Sequence, residues 1–220
     1  MTNTVDPDEV CALIRGADAL GVELNSDVAS ALLRFLARFY DWNRFGGFTR
    51  IPRDSALRLH LLDSLSVVAE LRGVRSIVDL GTGGGMPGIP LALVLSETAF
   101  TLVESRGRRC SFLREIVREY ELSARVEILE CDASEVGAMG RRYDAVVSRA
   151  FLPPPELLTL GCGLVGPGGR IIVMASSEAW LVAAPTARVP GEGELHLRSE
   201  RTLVLPDGME QRRIFLFERS

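Results

Sequence analysis

A glycine-rich segment between residues 81 and 88 constrains the fold of this chain more than any other feature of its sequence. It directly follows a short apolar run, SIVDLG (76–81), and leads into a helical segment that begins near Gly88. Side chains would clash with a ligand lying across the ends of parallel strands, whereas glycine lets the backbone approach that ligand closely. The segment therefore predicts a strand, a turn and a helix. The turn suits a dinucleotide, a nucleotide-like cofactor or merely a tight bend.

Two further features favour a cofactor over a structural turn. The glycines follow Asp79 with the spacing Gly-x-Gly-x-Gly, which differs from the Gly-x-Gly-x-x-Gly pattern of dinucleotide-binding proteins. A phosphate-binding P-loop needs a lysine, and this chain has none, because all 25 of its Lys+Arg residues are arginines. In addition, Glu104 ends the second apolar run, where a carboxylate can accept hydrogen bonds from the hydroxyl groups of a ribose.

Short apolar runs and helical segments alternate along the chain after Val74. Such alternation predicts an α/β fold with a doubly wound, mostly parallel sheet and helices on both faces. Two late runs, RTLVLP and RRIFLFE, are joined by Asp207-Gly208 and indicate a closing antiparallel hairpin. The stretch from Pro185 to Gly193 is typical of an exposed loop. The intervening apolar runs are FTLVE (100–104), RVEILEC (125–131), YDAVVSRA (143–150) and GRIIVMA (169–175).

The first 73 residues show helical patterns instead. A short helix is expected between Asp6 and Gly21, and a longer one over residues 26–45 that stops at Gly46-Gly47. A third helix is expected from near Asp54, with one buried stripe formed by Leu57, Leu61, Val68 and Leu71. The sequence thus predicts a helical cap over residues 1–73 and an α/β domain over residues 74–220.

Composition argues against several other classes of protein. The formal charge is −4 and the isoelectric point is near 5.4, unlike a protein that coats nucleic acid through bulk charge alone. Four scattered cysteines and only two histidines argue against a disulfide framework and a metal centre. The acidic N-terminus does not resemble a signal peptide, and no apolar run reaches the roughly 20 residues of a membrane span. We therefore expect a cytoplasmic protein without a metal or a membrane partner.

Several motifs together resemble one family of class I S-adenosylmethionine-dependent methyltransferases. They are DLGTGGGMPGIPLALV, SRAF (148–151), WNRFGGFTRI and LRLHLLDSL, and they span most of the chain. The combination is similar to the 16S ribosomal RNA small subunit methyltransferase G family. The resemblance implies a Rossmann-like, seven-stranded class I fold, S-adenosylmethionine as the cofactor, and methyl transfer to guanine N7 of 16S rRNA. It also implies the 30S small ribosomal subunit as the partner, and we expect the protein to act as a monomer.

The resemblance assigns a cofactor role to the glycine loop and to the strand end beside it. Glu104 matches the acidic position that binds the ribose in this family. The residues that match or directly precede the family's cofactor loop are Asp79, Gly81, Gly83, Gly85 and Met86.

Three consecutive residues after the third strand are expected beside the adenine ring. Ala133 and Ser134 match the family's residue pair at this place, and we infer that the carboxylate of Asp132 reaches the adenine amino group. Arg149 matches the arginine of the SRA motif, which lies near the methionine end of the cofactor in the family. Because arginine does not deprotonate in proteins, we expect Arg149 to hold a carboxylate or a phosphate rather than to transfer a proton.

The cap and the helix after Glu104 supply the expected RNA contacts. His60 and Asp63 match the cap signature at the mouth of the active site. His60 either lines the target pocket or packs and hydrogen-bonds to Asp63, and the sequence leaves both open. Arg106, Arg108 and Arg109 are candidate phosphate contacts, because each is a planar cation suited to bidentate binding.

No catalytic residue is predicted, because guanine N7 carries a lone pair and no proton, and its methylation needs no general base. The rate then comes mainly from positioning and electrostatics.

One departure from the family pattern leaves two alternative functions open, because Ala175-Ser176 stand where the family usually carries Lys-Gly. The alternatives are a methyltransferase acting on a small molecule or a protein, and a ribosome-associated factor that binds S-adenosylmethionine without turnover.

Overall fold

The computed structural model describes residues 5–149, 152–176, 186–189, 193–206 and 208–220. These residues form one sheet with a helical layer packed on each face, which confirms the α/β class. The strands are β1 (Ser76–Leu80), β2 (Ala99–Val103), β3 (Val126–Leu129), β4 (Tyr143–Arg149), β5 (Val165–Ser176), β6 (Thr186–Val189), β7 (Gly193–Val204) and β8 (Gln211–Arg219). The α-helices are α1 (Pro7–Asp18), α2 (Ser26–Gly46), α3 (Asp63–Leu65), α4 (Gly88–Val94), α5 (Gly107–Glu119) and α6 (Pro154–Cys162).

The strands of the sheet follow the order β3-β2-β1-β4-β5-β8-β7-β6. The first five are mutually parallel, and the last three pair antiparallel to their neighbours, so the predicted doubly wound arrangement is confirmed. The expected number of strands was wrong, because the sheet has eight strands rather than seven. Since the order reverses at β1 and β4, a crevice is expected at their carboxyl ends.

The additional strand is β6, which lies within the stretch expected to be an exposed loop. Thr186–Val189 pairs antiparallel with the start of β7, in the register Thr186↔His196 to Val189↔Gly193. The strand has only four residues, and the prolines and glycines around it favoured a loop in the sequence. It pairs with β7, and Val189 is buried in the core. Residues 190–192 and Pro185 lie outside the described residues. Short edge strands of this kind are a common way to limit further pairing.

The closing hairpin is confirmed as β7 and β8, which pair antiparallel from Val204↔Gln211 to Leu195↔Arg219. β7 begins at Gly193, earlier than the expected start at Arg201, and Asp207 of the turn lies outside the described residues. β8 is an inner strand, because it pairs with β5 on its other side.

The first two helices begin at the expected caps. Asp6 accepts a hydrogen bond from the backbone of Asp8 before α1, and Asn25 accepts one from Val28 before α2. α2 ends at Gly46 and is capped by Gly47, which adopts a left-handed conformation.

The third helix is not the continuous helix that was expected. A 3₁₀ turn (Arg53–Ser55), a π-helical segment (Leu57–Leu62), the single turn α3 and a second 3₁₀ turn (Val68–Leu71) follow one another instead. Ser64 Oγ donates to the carbonyl of His60 at 2.6 Å, and this bond competes with the regular backbone pattern. The stripe is still largely buried, with Leu61, Val68 and Leu71 in the core and Leu57 half-buried.

The cap shares its core with one face of the sheet. Leu32 and Phe35 of α2 belong to the same buried cluster as Ile77 of β1 and Phe112 of α5. Glu70 of the cap also forms an ion pair with Arg201 of β7 at 2.9 Å. The division at residues 73 and 74 stays a prediction. In the part of the chain that the structure describes, no helix has the length and apolar character needed to cross a membrane.

Candidate functional site

The expected crevice is a cavity of about 850 Å³ at the carboxyl ends of β1, β4 and β5. On the sheet side, the loop after β1, Ser148 of β4 and Ala175 of β5 line it. On the cap side, Phe39 of α2 and His60 line it. The cavity therefore lies between the sheet and the cap, at the reversal of the strand order, which is where ligands bind in open α/β sheets.

The glycine loop, residues 81–88, lines one side of this cavity. Gly81, Gly83 and Gly85 have φ angles of 69°, 61° and 88°, which L side chains rarely adopt. Gly83 faces the cavity, because the nearest atom to a Cβ placed there would be Arg109 Nη1 at 3.8 Å. Gly85 instead packs inside the protein, where an added Cβ would lie 2.6 Å from Ile89 Cγ1. Gly81 and Met86 also line the cavity, so that three of the four expected loop residues after β1 do so.

Asp79 lies beneath the loop rather than on the cavity wall. Its Oδ2 accepts hydrogen bonds from Thr82 Oγ1 at 2.6 Å and from the backbone N–H of Gly88 at 2.9 Å. Full burial raises the pKa of Asp79 to about 6, against the opposing effect of these two bonds. Asp79 thus connects the two ends of the turn, at Thr82 and Gly88, through hydrogen bonds to one oxygen.

Glu104 ends β2 beside the loop and is buried. Its Oε1 accepts a hydrogen bond from the backbone N–H of Arg106 at 2.9 Å, and its Oε2 accepts one from Arg109 Nη1 at 3.2 Å. Arg109 lines the cavity, whereas the side chains of Arg106 and Arg108 are exposed and do not. The three arginines that were grouped in the sequence therefore divide between the cavity and the surface.

A second hollow of about 570 Å³ contains the residues expected near adenine. Asp132, Ala133 and Ser134 line it, and Leu152 lines both this hollow and the large cavity. Asp132 Oδ1 accepts hydrogen bonds from the backbone N–H and the hydroxyl of Ser134, and these bonds lower the pKa of Asp132. The aspartate thereby caps the short 3₁₀ turn at Ala133–Glu135.

Two arginines hold Asp63 on the cap side of the cavity. Asp63 Oδ2 accepts a hydrogen bond from Arg149 Nη1 at 3.0 Å, and Oδ1 accepts one from Arg212 Nε at 2.8 Å. Arg149 also donates to the carbonyl of Leu59 at 3.3 Å. One carboxylate thus faces two guanidinium groups, so this Asp63 cluster (Asp63, Arg149 and Arg212) has one excess positive charge.

Sequence reasoning missed Arg212. It lies in β8, opposite Ser176 of β5 in the antiparallel register, and it lines the cavity. The pair of arginines at the start of RRIFLFE was visible in the sequence. However, only the strand order brings this residue next to β5 and its end at the cavity.

His60 is buried at the cavity wall, with its ring centroid 5.2 Å from that of Phe39 and 6.2 Å from that of Tyr40. Neither ring nitrogen has a hydrogen-bond partner among the described residues, so the expected alternative bond to Asp63 is not formed. Burial and the nearby Arg149 lower the pKa of His60 to about 3. The ring is therefore neutral, with one donor and one acceptor that have no partner among the described residues.

Two solved structures resemble this chain in fold. TrmN from Thermus thermophilus superposes with a TM-score of 0.52 at 20% identity, over 71% of this chain and 49% of that chain. The chain therefore spans about half the length of that protein. The structure described as StiE O-MT superposes with a TM-score of 0.55 at 15% identity, over 84% of this chain and 90% of that chain. At these identities the likeness concerns the fold alone, and it confirms the class I methyltransferase fold.

Sequence comparison identifies the family. The model described as rRNA small subunit methyltransferase G matches residues 29–184. A protein named Ribosomal RNA small subunit methyltransferase G from Methylococcus capsulatus is 37% identical over 84% of this chain and 95% of its own length. A protein of the same name from Myxococcus xanthus is 30% identical over the full length of both chains. This chain therefore belongs to the rRNA small subunit methyltransferase G family.

Proposed function

We propose that this protein transfers a methyl group from S-adenosylmethionine to guanine N7 of 16S rRNA in the small ribosomal subunit. One observation carries the proposal: in a chain of this family, the glycine loop lines the large cavity at the reversal of the strand order, together with Arg109, which donates a hydrogen bond to the buried Glu104. The relatives that share at least 30% of its residues are named as ribosomal RNA methyltransferases.

The shape of the site supports an extended cofactor. Glu104 would accept hydrogen bonds from the ribose, and Arg109 connects it to the open backbone at Gly83. The second hollow, with Ala133 and Ser134, would hold the adenine ring, and Leu152 connects it to the large cavity. The methionine end would then point toward Arg149. The excess positive charge of the Asp63 cluster favours the carboxylate of that end.

The residues of the cavity suit a reaction that needs positioning more than proton transfer. Bound S-adenosylmethionine supplies an electrophilic methyl group, and guanine N7 has a lone pair with no proton to remove. His60 is buried and neutral, and we assign it a contact with the target base through one of its two ring nitrogens, neither of which has a partner among the described residues. Phe39 and Phe48 narrow the cavity around it and exclude water.

The RNA contact is proposed for the surface around the start of α5. Arg106 and Arg108 have exposed side chains there, next to the cavity-lining Arg109, and arginine binds phosphate as a bidentate donor. Because the whole chain has a formal charge of −4, this local basic surface suits a folded RNA within the 30S subunit better than a naked strand. We expect action in the cytoplasm and as a monomer.

Transfer of a radioactive methyl group tests the proposal. Purified protein is incubated with labelled S-adenosylmethionine and 30S subunits from a strain lacking the corresponding gene, and digested 16S rRNA is analysed by mass spectrometry. We expect one additional 7-methylguanosine. The expected rate on a short oligonucleotide is much lower.

Two alternative functions would give different results. A factor that binds the cofactor without turnover would bind S-adenosylhomocysteine but leave the rRNA unlabelled. A methyltransferase of a small molecule or protein would leave the rRNA of a deletion strain unchanged in its modification profile. Arg212 argues against the loss of function suggested by Ala175-Ser176, because it brings a cation to the same end of β5.

A further inference from the structure

A single arginine joins Glu104 to the mouth of the cavity. Arg109 lies in the first turn of α5 and its Nη1 donates to Glu104 Oε2 at 3.2 Å. The backbone N–H of Arg106 donates to the other oxygen at 2.9 Å. Both oxygens of Glu104 therefore accept a hydrogen bond from the protein itself. Each oxygen can accept a second bond, but the guanidinium of Arg109 occupies the approach to Oε2 from the cavity, where a ribose hydroxyl would have to displace it.

Arg109 also stands in the space between the glycine loop and the cap. On one side its Nη1 is the nearest atom to a Cβ placed on Gly83, at 3.8 Å. On the other side its guanidinium carbon lies 6.0 Å from the centroid of the Phe48 ring. The guanidinium thus fills part of the cavity beside Glu104, which is the space proposed for the sugar of the cofactor.

The contact between Arg109 and Glu104 can be exchanged for another. The Arg109 side chain is 20% exposed, so its guanidinium can leave toward solvent. The Glu104 side chain is only 6% exposed and needs a hydrogen-bond donor in its place, which a ribose hydroxyl can supply. Glu104 supplies the one salt bridge that Arg109 makes with the residues described by the structure. Once released, a side chain of this length reaches the surface that carries Arg106 and Arg108, where it can bind a phosphate.

We propose that Arg109 takes the place of the ribose at Glu104 until the cofactor binds, and that the displaced guanidinium then contacts a phosphate of the RNA. The inference rests on the proposed function. Cofactor and RNA then favour each other's binding, because either one removes Arg109 from its contact with Glu104. Thermodynamic linkage requires the two effects to be equal. Arg109 is a positioning residue in this scheme, since it acts on the cofactor only through Glu104.

Binding measurements on single variants test the scheme. The affinity for S-adenosylhomocysteine is measured by calorimetry for the wild type, Arg109→Ala and Arg109→Gln. We expect both variants to bind it roughly twofold to fivefold more tightly, because the competing ion pair is gone. Arg118→Ala is the matched control, since Arg118 is an exposed arginine in the last turn of the same helix. Its affinity should equal that of the wild type.

The coupling is measured with 30S subunits. Saturating S-adenosylhomocysteine should tighten the binding of wild-type protein to 30S subunits by about fivefold, and the tightening should vanish in both Arg109 variants. Weaker cofactor binding in both variants, or equal coupling in the wild type and the variants, would contradict the scheme. Failure of the wild type to bind S-adenosylhomocysteine at all would instead contradict the proposed function and the inference together.

Discussion

The two sides of the large cavity are built in different ways. The side at the strand ends is lined by neighbours in sequence, from Gly81 to Met86, with Asp79 beneath them and Glu104 directly after the adjacent strand. The cap side brings together Asp63, Arg149 and Arg212, which are separated by more than 60 residues along the chain. Local sequence therefore determines the first side, whereas the second exists only in the complete fold.

The two sides also stabilise a buried carboxylate differently. Asp79 accepts its hydrogen bonds from a hydroxyl and a backbone N–H, which are neutral. Asp63 accepts its bonds from two guanidinium groups. Burial therefore raises the pKa of Asp79 to about 6. Loss of the Asp79 side chain would remove the two hydrogen bonds that hold the turn. Loss of Asp63 would leave two like charges facing each other. The following variants separate a ligand effect on one side from a stability effect on the other.

Gly83→Arg should have the largest effect, and that effect is on ligand binding. The new side chain would fill the cavity, and we expect S-adenosylhomocysteine affinity to fall about a thousandfold, equivalent to about 4 kcal/mol. Gly140→Arg is the matched control, because Gly140 has a φ of 67°, close to the 61° of Gly83, and no atom within 4 Å of an added Cβ. Both variants should lose about 1 kcal/mol of stability from backbone strain. Similar affinities in calorimetry would refute the ligand site at Gly83.

Asp63→Ala should have the next largest effect, this time on the free energy of unfolding. Removing the buried carboxylate leaves Arg149 and Arg212 without their shared partner, at a cost of about 3 kcal/mol. The double variant Asp63→Ala/Arg212→Gln should recover part of this loss, because only one guanidinium then lacks a partner. Urea denaturation measures both. A double variant that is less stable than the single one would show that charge repulsion is not the cause.

Glu104→Ala should weaken S-adenosylhomocysteine binding by about 2 kcal/mol, the range for losing a charged hydrogen-bond acceptor. Glu130→Ala serves as the control, because Glu130 is an exposed glutamate that pairs with Arg114 away from the cavity. Calorimetry on both variants gives the comparison. Unchanged affinity in Glu104→Ala would mean that the ribose does not bind at this strand end.

The smallest effect is the pH dependence that His60 gives to stability. The pKa of His60 is lowered from 6.5 to about 3, so the folded protein keeps this ring neutral while the unfolded chain gains a proton below pH 6.5. The contribution is therefore present above pH 6.5 and is lost as the pH falls below it. From pH 7.5 to 5.5, the wild type should lose about 1.4 kcal/mol more than His60→Phe. Parallel losses in urea denaturation would show that the ring takes up protons when folded.

Much of the strand-end side could be predicted from the sequence. The glycine spacing, Asp79 and Glu104 are local signals, and the structure brings the loop and Glu104 together as expected. The sequence could not show that Gly85 packs against Ile89 or that Asp79 points beneath the loop. Both outcomes depend on the directions of side chains in a strained turn.

The other elements of the fold could be predicted where apolar residues recur with a clear period. They were missed where a strand or a side-chain position depends on pairing with a strand that is distant in sequence. β6 has only four residues, too few for their alternation to outweigh the prolines and glycines around them, and it pairs with the first residues of β7. The third helix is broken where serine hydroxyls bond to backbone carbonyls, although its apolar stripe predicted the buried face. Arg212 reaches the cavity because of a register that no short motif encodes.

The inner position of β8 has a consequence for synthesis. This strand of residues 211–219 inserts between β5 and β7, and it delivers Arg212 to Asp63. While the ribosome still holds these residues in its exit tunnel, β5 pairs with β4 on one side only, and its other edge is unpaired. The growing polypeptide can thus assemble the glycine loop early, yet its cavity stays incomplete until β8 has left the tunnel and Arg212 joins the Asp63 cluster.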